Sequence, residues 1–217
     1  MYTHHKFKVE RTAHYHTIGE ANPEVTRLII ACHGQGQRSQ YFIRRFDVLD
    51  DGKTFVIAPE ALSRYYLKSF GGEVGASWMT SAERLDEIAD YANYLQQLLE
   101  HYRPLVNEQV KITLLGFSQG GATIFRWAME KFPAVDRFIL FASMLPEDLD
   151  YRPYQEYFDT KKITWLYGTS DQFLNDQRLA FNRSVFKKNN IQYEEKTFDG
   201  KHEVRRDVLQ ELFADQV

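Results

Sequence analysis

With a single cysteine, Cys32, in 217 residues, this chain has no internal disulfide framework. That scarcity fits a reducing compartment. No tract rich in proline, glycine or serine separates one part of the chain from another, and no segment repeats. No apolar run approaches the roughly 18 residues that a transmembrane helix requires. The opening stretch, MYTHHKFKVERTAHYHTIG, has no apolar h-region, so no secretory leader is expected and a cytoplasmic protein is the default expectation. Basic residues are not in excess: 27 Lys and Arg stand against 30 Asp and Glu, for a net charge of −3 with neutral histidines. The electrostatic footprint of a nucleic-acid binder is therefore missing. Lys187-Lys188 and Arg205-Arg206 read as solvated helix faces.

What is present is the composition of a globular domain, 43% hydrophobic and 26% charged, with 13 Tyr and 16 Phe. The length suits one domain over residues 1–217. Short apolar runs predict buried strands at 27–32, 54–58, 110–115, 137–142 and 163–167. Residues 192–198 read as a more exposed strand, and 7–17 alternate roughly at period two, as an edge strand or hairpin would. Helices are expected over 39–49, 82–101, 122–132, 175–188 and 203–213. In the longest, Leu85, Ile88, Ala89, Ala92, Leu95, Leu98 and Leu99 make one apolar stripe.

Strands alternating with helices imply an α/β fold: a mostly parallel central sheet with helices on both faces. Ligands then bind beyond the carboxyl ends of the strands, which places His33, Pro59, Ser118, Ser143 and Gly168 at one edge. Residues 143–162 are too few for a separate cap domain. The long irregular stretch is 60–80. Its Tyr65, Tyr66, Leu67, Phe70 and Trp78 suggest that it packs and forms one wall of a substrate site, with Met144 and Leu145 opposite.

Between a predicted strand and a predicted helix lies Gly116-Phe-Ser-Gln-Gly120, a G-x-S-x-G sequence in the context that a nucleophile elbow needs. A sharp turn there holds Ser118 in strained backbone and projects its hydroxyl outward. The Gln119 amide follows at a helix N-terminus, where partial positive charge favours an oxyanion. A serine hydroxyl needs a base, and the base needs an orienting carboxylate. Beyond Ser118 the chain holds one histidine, His202. Asp171, which follows a buried strand at the same edge, is the favoured carboxylate on chain order. Asp159, Asp176 and Asp199 compete from less suitable places: before a strand, inside a helix turn, and in a turn beside His202. The second oxyanion donor is sought in Cys32-His33-Gly34-Gln35-Gly36-Gln37, where glycines let amides face the site, and the Gln35 amide is chosen. His33 reads as a structural residue fixing that loop.

These residues resemble the α/β-hydrolase superfamily, and within it the carboxylesterase/phospholipase family that includes acyl-protein thioesterases. The resemblance rests on His33-Gly34-Gln35-Gly36, Gly116-Phe-Ser-Gln-Gly-Gly121, Gly168-Thr-Ser-Asp171 and Gly200-Lys-His202, spread over nearly the whole chain. It implies the α/β-hydrolase fold, a triad of Ser118, Asp171 and His202, and oxyanion amides at Gln35 and Gln119. Two blocks depart from the family pattern. Met79-Thr80 follow Trp78 where Phe-Asp is usual, and Ser143-Met144 precede Leu145-Pro146 where Ser-Gly is usual. Both border the expected acyl pocket of Trp78, Met144 and Leu145.

The expectation is a serine carboxylesterase-type hydrolase acting on a small-molecule ester through an acyl-enzyme. No cofactor or metal is called for: His14 and His16 share a strand face but have no third ligand in view. No nucleic-acid or membrane partner is expected, and a homodimer is left open. A thioesterase acting on acylated proteins or carriers shares the same triad and is the alternative. A catalytically inert ligand-binding module is the alternative from another class.

Overall fold

The structure, a computed structural model, describes residues 1–69 and 71–214. Its central sheet is built from β1 (Tyr15–Ile18), β2 (Arg27–Cys32), β3 (Thr54–Pro59), β6 (Lys111–Phe117), β7 (Arg137–Phe141), β8 (Lys162–Gly168) and β9 (Glu194–Phe198). A separate hairpin is formed by β4 (Ser63–Tyr66) and β5 (Val74–Ser77). The helices are α1 (Ser39–Phe42), α2 (Arg84–Tyr102), α3 (Gln119–Lys131), α4 (Gln155–Asp159), α5 (Asp176–Lys188) and α6 (Arg206–Ala214). The seven strands run in the order β1-β3-β2-β6-β7-β8-β9, with β1 antiparallel to β3 and every other pair parallel. This is the doubly covered sheet expected of an α/β-hydrolase fold.

Strand sequences match their places. Every residue of β2, β3 and β7 is buried, as interior parallel strands require. At the edge, β9 reads EEKTF and exposes its first four residues. Those charges also discourage pairing with a further strand. Among the described residues, no helix is long and apolar enough to cross a membrane.

Three sequence expectations change. The edge strand is shorter than 7–17, because Phe7 and Val9 stand in solvent with no strand alongside. In the apolar stripe of α2, Ile88, Ala92, Leu95, Leu98 and Leu99 are buried and Ala89 is half-buried, but Leu85 is exposed in the first turn. Residues 60–80 are not irregular throughout: β4 and β5 pair antiparallel, from Ser63 opposite Ser77 to Tyr66 opposite Val74. Phe70, counted among the apolar residues of this stretch, lies outside the described residues.

Two buried arginines secure the end of the sheet away from the strand C-termini. Arg27 opens β2 and Arg137 opens β7. They donate to the carbonyls of Phe213 and Leu212, at 2.9 Å each, in the last turn of α6. Cations suit a helix C-terminus, where carbonyls lack intrahelical donors. Both guanidiniums also sit over the Phe213 ring. The helix that follows His202 is thereby fixed to two central strands.

At the other end, β3 delivers Glu60 into the interior, 1% exposed. Its carboxylate accepts from Arg38 Nε (2.8 Å), Arg64 Nε (2.7 Å), and the Ser39 amide and hydroxyl (3.1 Å each). Burial alone would raise its pKa. The hydrogen bonds and charges of Arg38 and Arg64 outweigh that and hold it at about 2. Glu60 thus ties the start of α1 to the hairpin. Its folded pKa lies below the usual carboxylate value, so its contribution is complete above that value and is lost as pH falls toward 2. Glu60→Gln is expected to lower the unfolding free energy by about 3 kcal/mol at pH 7, checked by urea titration. The difference from wild type should shrink as the titration is repeated at pH values below 4.

Candidate active site

At the C-terminal end of β6 the chain turns sharply into α3, with Ser118 at φ 51°, ψ −120°. Few non-glycine residues adopt such a conformation, which costs of order 1–3 kcal/mol unless the surroundings enforce it. Here they do. A Cβ on Gly116 would lie 2.2 Å from the Gly120 carbonyl oxygen, and one on Gly120 would lie 2.1 Å from that of Cys32. The glycines are needed for this close approach. The Ser118 amide donates to the Phe141 carbonyl at 3.0 Å. Its own carbonyl accepts from the Ser143 hydroxyl at 2.6 Å and the Gly121 amide at 3.0 Å. The turn is held from three sides, and the half-buried Ser118 side chain is left at the sheet edge. The Gln119 amide is among the first donors of α3, which have no intrahelical acceptor.

His202 sits in the loop between β9 and α6. Its Nδ1 lies 2.7 Å from Asp171 Oδ2. A carboxylate only accepts, so Nδ1 carries a proton; in the neutral imidazole this leaves Nε2 as the acceptor. The Asp171 carboxylate is fully buried, and its other oxygen accepts from the Phe173 amide at 2.8 Å. The loops after β8 and β9 are stitched together: the Thr169 amide donates to Phe198, and the Ser170 amide to Gly200, at 2.9 Å each. Gly168 has no space for a side chain, since its Cβ would lie 2.3 Å from the Gly200 carbonyl oxygen. The imidazole is flanked by the Phe117 ring at 4.9 Å and the Phe173 ring at 4.7 Å. Phe117 is the residue before Ser118, so the histidine packs beside the elbow.

The loop after β2 arrives from the other side. A Cβ on Gly34 would lie 3.2 Å from the Ser118 Cβ. Within this loop the amides are largely used. That of Gly34 donates to Gln37 Oε1 (2.9 Å), that of Gly36 to Ala76 (2.8 Å), and that of Gln37 to Gly34 (3.2 Å). Among the described residues, the Gln35 amide donates to no protein acceptor. His33 is fully buried. Its Nε2 accepts from the Ala61 amide at 3.0 Å, so Nδ1 is the protonated nitrogen and donates to the Gly34 carbonyl at 2.7 Å. Burial lowers its pKa to about 4, which keeps it neutral.

A cavity of about 400 Å³ opens beside His202, between the Gly36-Gln37 turn, Tyr41, Arg45, Val74 and Phe117. The β4–β5 hairpin supplies one of its walls. Trp78, Met144 and Leu145 do not line it. Trp78 and Leu145 are core residues, 2% exposed each. The Trp78 indole turns inward to donate to the His33 carbonyl, and the Leu145 amide donates to Asn182. Met144 is half-buried next to Ser143. Cys32 lies in the core, where burial raises its thiol pKa and keeps it protonated. No three His, Cys, Asp or Glu residues among those described group as a metal site. His16 instead bonds the Ser39 hydroxyl at 2.9 Å.

Residues 13–214 match the model of the phospholipase/carboxylesterase family. The chain belongs to that family. No curated protein matches it in sequence. Among solved structures it is similar to acyl-protein thioesterase 2 of Zea mays, at 17% identity and a TM-score of 0.70, covering 93% of this chain and 96% of the other. It is also similar to a carboxylesterase from Mesorhizobium loti, at 13% identity and a TM-score of 0.68, covering 94% and 95%. Esterase PE8 gives 16% identity and a TM-score of 0.66, covering 94% and 97%. At such identities these likenesses establish the fold.

Four features of this phospholipase/carboxylesterase site have no signature in residue spacing: the Ser143 bond to the elbow, the Phe173 ring on His202, the Gln119 carboxamide contacts and the inward Trp78. Each depends on which way a side chain points across elements distant in sequence. The buried His33 also makes stability depend on pH. Its folded pKa lies below the unfolded value of about 6.5, so the unfolded chain binds more protons between pH 6.5 and 4. Its stabilising contribution is complete above pH 6.5 and lost as pH falls toward 4. Thermal midpoints are expected to fall over that window in wild type, and to fall less steeply in His33→Gln.

Proposed function

We propose that this member of the phospholipase/carboxylesterase family is a serine hydrolase that cleaves carboxylic esters of small soluble substrates. The observation that carries the reading is the buried Asp171–His202 pair, its imidazole packed on Phe117 beside the strained Ser118 turn. His202 Nε2 takes the Ser118 proton as the hydroxyl oxygen attacks the ester carbonyl. Negative charge builds on the carbonyl oxygen, and the Gln35 and Gln119 amides hold it. Each such donor contributes roughly 2.7–4 kcal/mol in the transition state. Asp171 keeps the imidazole in the required tautomer and stabilises the imidazolium. His202 then protonates the leaving alcohol as the carbonyl–oxygen bond breaks. Water, deprotonated by the same nitrogen, attacks the acyl-enzyme and releases the acid.

The cavity beside His202 adjoins the group that protonates the leaving alcohol, so it is assigned to the alcohol portion of the ester. Its volume and the charged residues along it, Arg38, Arg45, Glu73 and Glu203, support a compact polar leaving group over a lipid. Met144 stays on the acyl side of the proposed site; Trp78 and Leu145 act from beneath. A cytoplasmic location is proposed on the strength of the lone, buried cysteine.

A p-nitrophenyl ester series from acetate to palmitate is expected to give its highest kcat/KM at short chains. A maximum at long chains would overturn the small-substrate reading. Matched oxygen and thio esters separate the esterase from a thioesterase. Ser118→Ala is expected to lower kcat by about 10⁵–10⁶-fold and abolish fluorophosphonate labelling. Asp171→Asn is expected to lower kcat by about 10⁴-fold through the wrong imidazole tautomer. Ester hydrolysis undiminished in Ser118→Ala would refute the mechanism.

A further inference from the structure

The two proposed oxyanion donors come from separate elements. Gln35 lies in the loop after β2, and Gln119 opens α3. Their spacing decides whether both can reach one oxygen, so something must hold them in register. The four residues from Ala76 to Met79, at the end of β5, touch both sides.

Toward the first donor, Ala76 exchanges hydrogen bonds with the loop. The Gly36 amide donates to its carbonyl at 2.8 Å, and its own amide donates to the Gln37 carbonyl at 3.1 Å. The Trp78 indole N–H adds a bond to the His33 carbonyl at 2.8 Å. Gly75 permits the approach, since a Cβ there would lie 2.5 Å from the Gly36 carbonyl oxygen. Gln35 is thus bracketed by two residues, His33 and Gly36, whose backbone is tied to this segment.

Toward the second donor, the Gln119 side chain closes the circuit. Its Oε1 accepts from the Trp78 amide at 3.0 Å. Its Nε2 donates to the Met79 carbonyl at 2.9 Å and to the Ser77 hydroxyl at 3.2 Å. The Ser77 hydroxyl in turn donates to the Met79 carbonyl at 3.0 Å. The carboxamide spends its oxygen and both N–H groups on this one segment. It is half-buried beside a turn whose backbone is strained, where a sub-ångström shift alters the direction of the amide.

We propose that the Gln119 carboxamide and the Trp78 indole are positioning residues that set the separation of the two oxyanion donors through the end of β5. The inference rests on the serine hydrolase reading above. It gives the β4–β5 hairpin a second role besides walling the cavity. It also gives Gln119 two separate duties, with the backbone amide meeting the substrate and the side chain aiming that amide. Trp78 becomes a support for the oxyanion loop and not a substrate contact.

The inference makes a specific kinetic demand. Misplaced donors weaken binding of the transition state and leave the ground-state ester almost unaffected. Gln119→Met keeps the length of the side chain and removes every hydrogen bond. Trp78→Phe keeps an aromatic ring and removes the indole N–H. Both variants are assayed with p-nitrophenyl acetate for kcat and KM, and with an alkyl trifluoromethyl ketone. Ser118 adds to that ketone: the Oγ–carbon bond forms, the carbonyl π pair moves to oxygen, and the proton passes to His202. The adduct is a tetrahedral oxyanion held by the same two amides.

Gln119→Met is expected to lower kcat about 10- to 100-fold and to weaken the ketone by a similar factor, with KM within about twofold of wild type. Trp78→Phe should show the same pattern at about tenfold. Thermal midpoints establish that the assayed protein is folded. Should Gln119→Met fail to fold, Trp78→Phe carries the test, since it removes the bond to the His33 carbonyl; a folded Trp78→Phe with wild-type kcat and ketone affinity then overturns the inference. A folded Gln119→Met with wild-type kcat and ketone affinity overturns the inference. So does a rise in KM with kcat and ketone affinity unchanged, which would mark Gln119 as a ground-state contact. Ester hydrolysis surviving in Ser118→Ala overturns the serine hydrolase reading itself, an outcome distinct from either of these.

Discussion

The site depends on a steric constraint where β6 meets α3. Two positions there have no room for even one carbon beyond the backbone. A Cβ at Gly120 would collide with the end of β2, and one at Gly116 would collide with the first turn of α3. This closeness forces the residue between them into positive φ and brings the helix N-terminus directly over the sheet edge. The strain at Ser118 is held by two bonds to the end of β7, one to the Phe141 carbonyl and one from the Ser143 hydroxyl. Ala142, between those two residues, also has positive φ, so the adjacent strand end is bent in step with the elbow. Loosening either glycine contact would free the turn to relax and remove the geometry that the proposed chemistry needs.

A division of labour runs along the strands. At their N-terminal ends, buried guanidiniums from Arg27 and Arg137 fasten α6. At their C-terminal ends, loops rich in glycine approach one another backbone to backbone and present polar groups. The first arrangement offsets desolvated charge with helix carbonyls and a ring face, and serves stability. The second leaves the Gln35 amide without a protein acceptor among the described residues, beside the Ser118 turn that the proposed chemistry uses. Fastening α6 also limits the freedom of the His202 loop, which connects β9 to that helix.

Four polar side chains around the site have their hydrogen-bonding capacity filled. Asp171 uses both oxygens, His33 both nitrogens, Glu60 both oxygens, and Gln119 its entire carboxamide. In a low-dielectric setting an unmatched group would be costly, while matched networks fix one arrangement of the loops. The hairpin at β4–β5 shows this most plainly. Tyr65, Tyr66 and Leu67 are partly in solvent, Ala76 is buried in the core, and hydrogen bonds join the hairpin to the Gly36 turn and Gln119.

Local order in the chain was enough to read the sheet, the helices and the family, because these follow from short-range rules. Buried parallel strands are continuous apolar runs, amphipathic helices repeat at 3.6, and a strand–glycine–serine–glycine–helix corner has one steric solution. The same rules singled out Ser118, Asp171 and His202, and the structure joins the last two directly. The extent of the edge strand, the pairing within 60–80, and the inward turn of Trp78 and Leu145 were not legible. Alternation in 7–17 describes a strand only where a neighbour exists to accept it, and hairpin strands of four residues are too short to show a period. The orientation of Trp78 was decided by a carbonyl at His33, 45 positions away in the chain. Composition and spacing thus determined which elements form and which loops carry Ser118, Asp171 and His202. Which way side chains face across the sheet edge was decided only by tertiary packing, because hydrogen bonds between distant loops leave no period in the sequence.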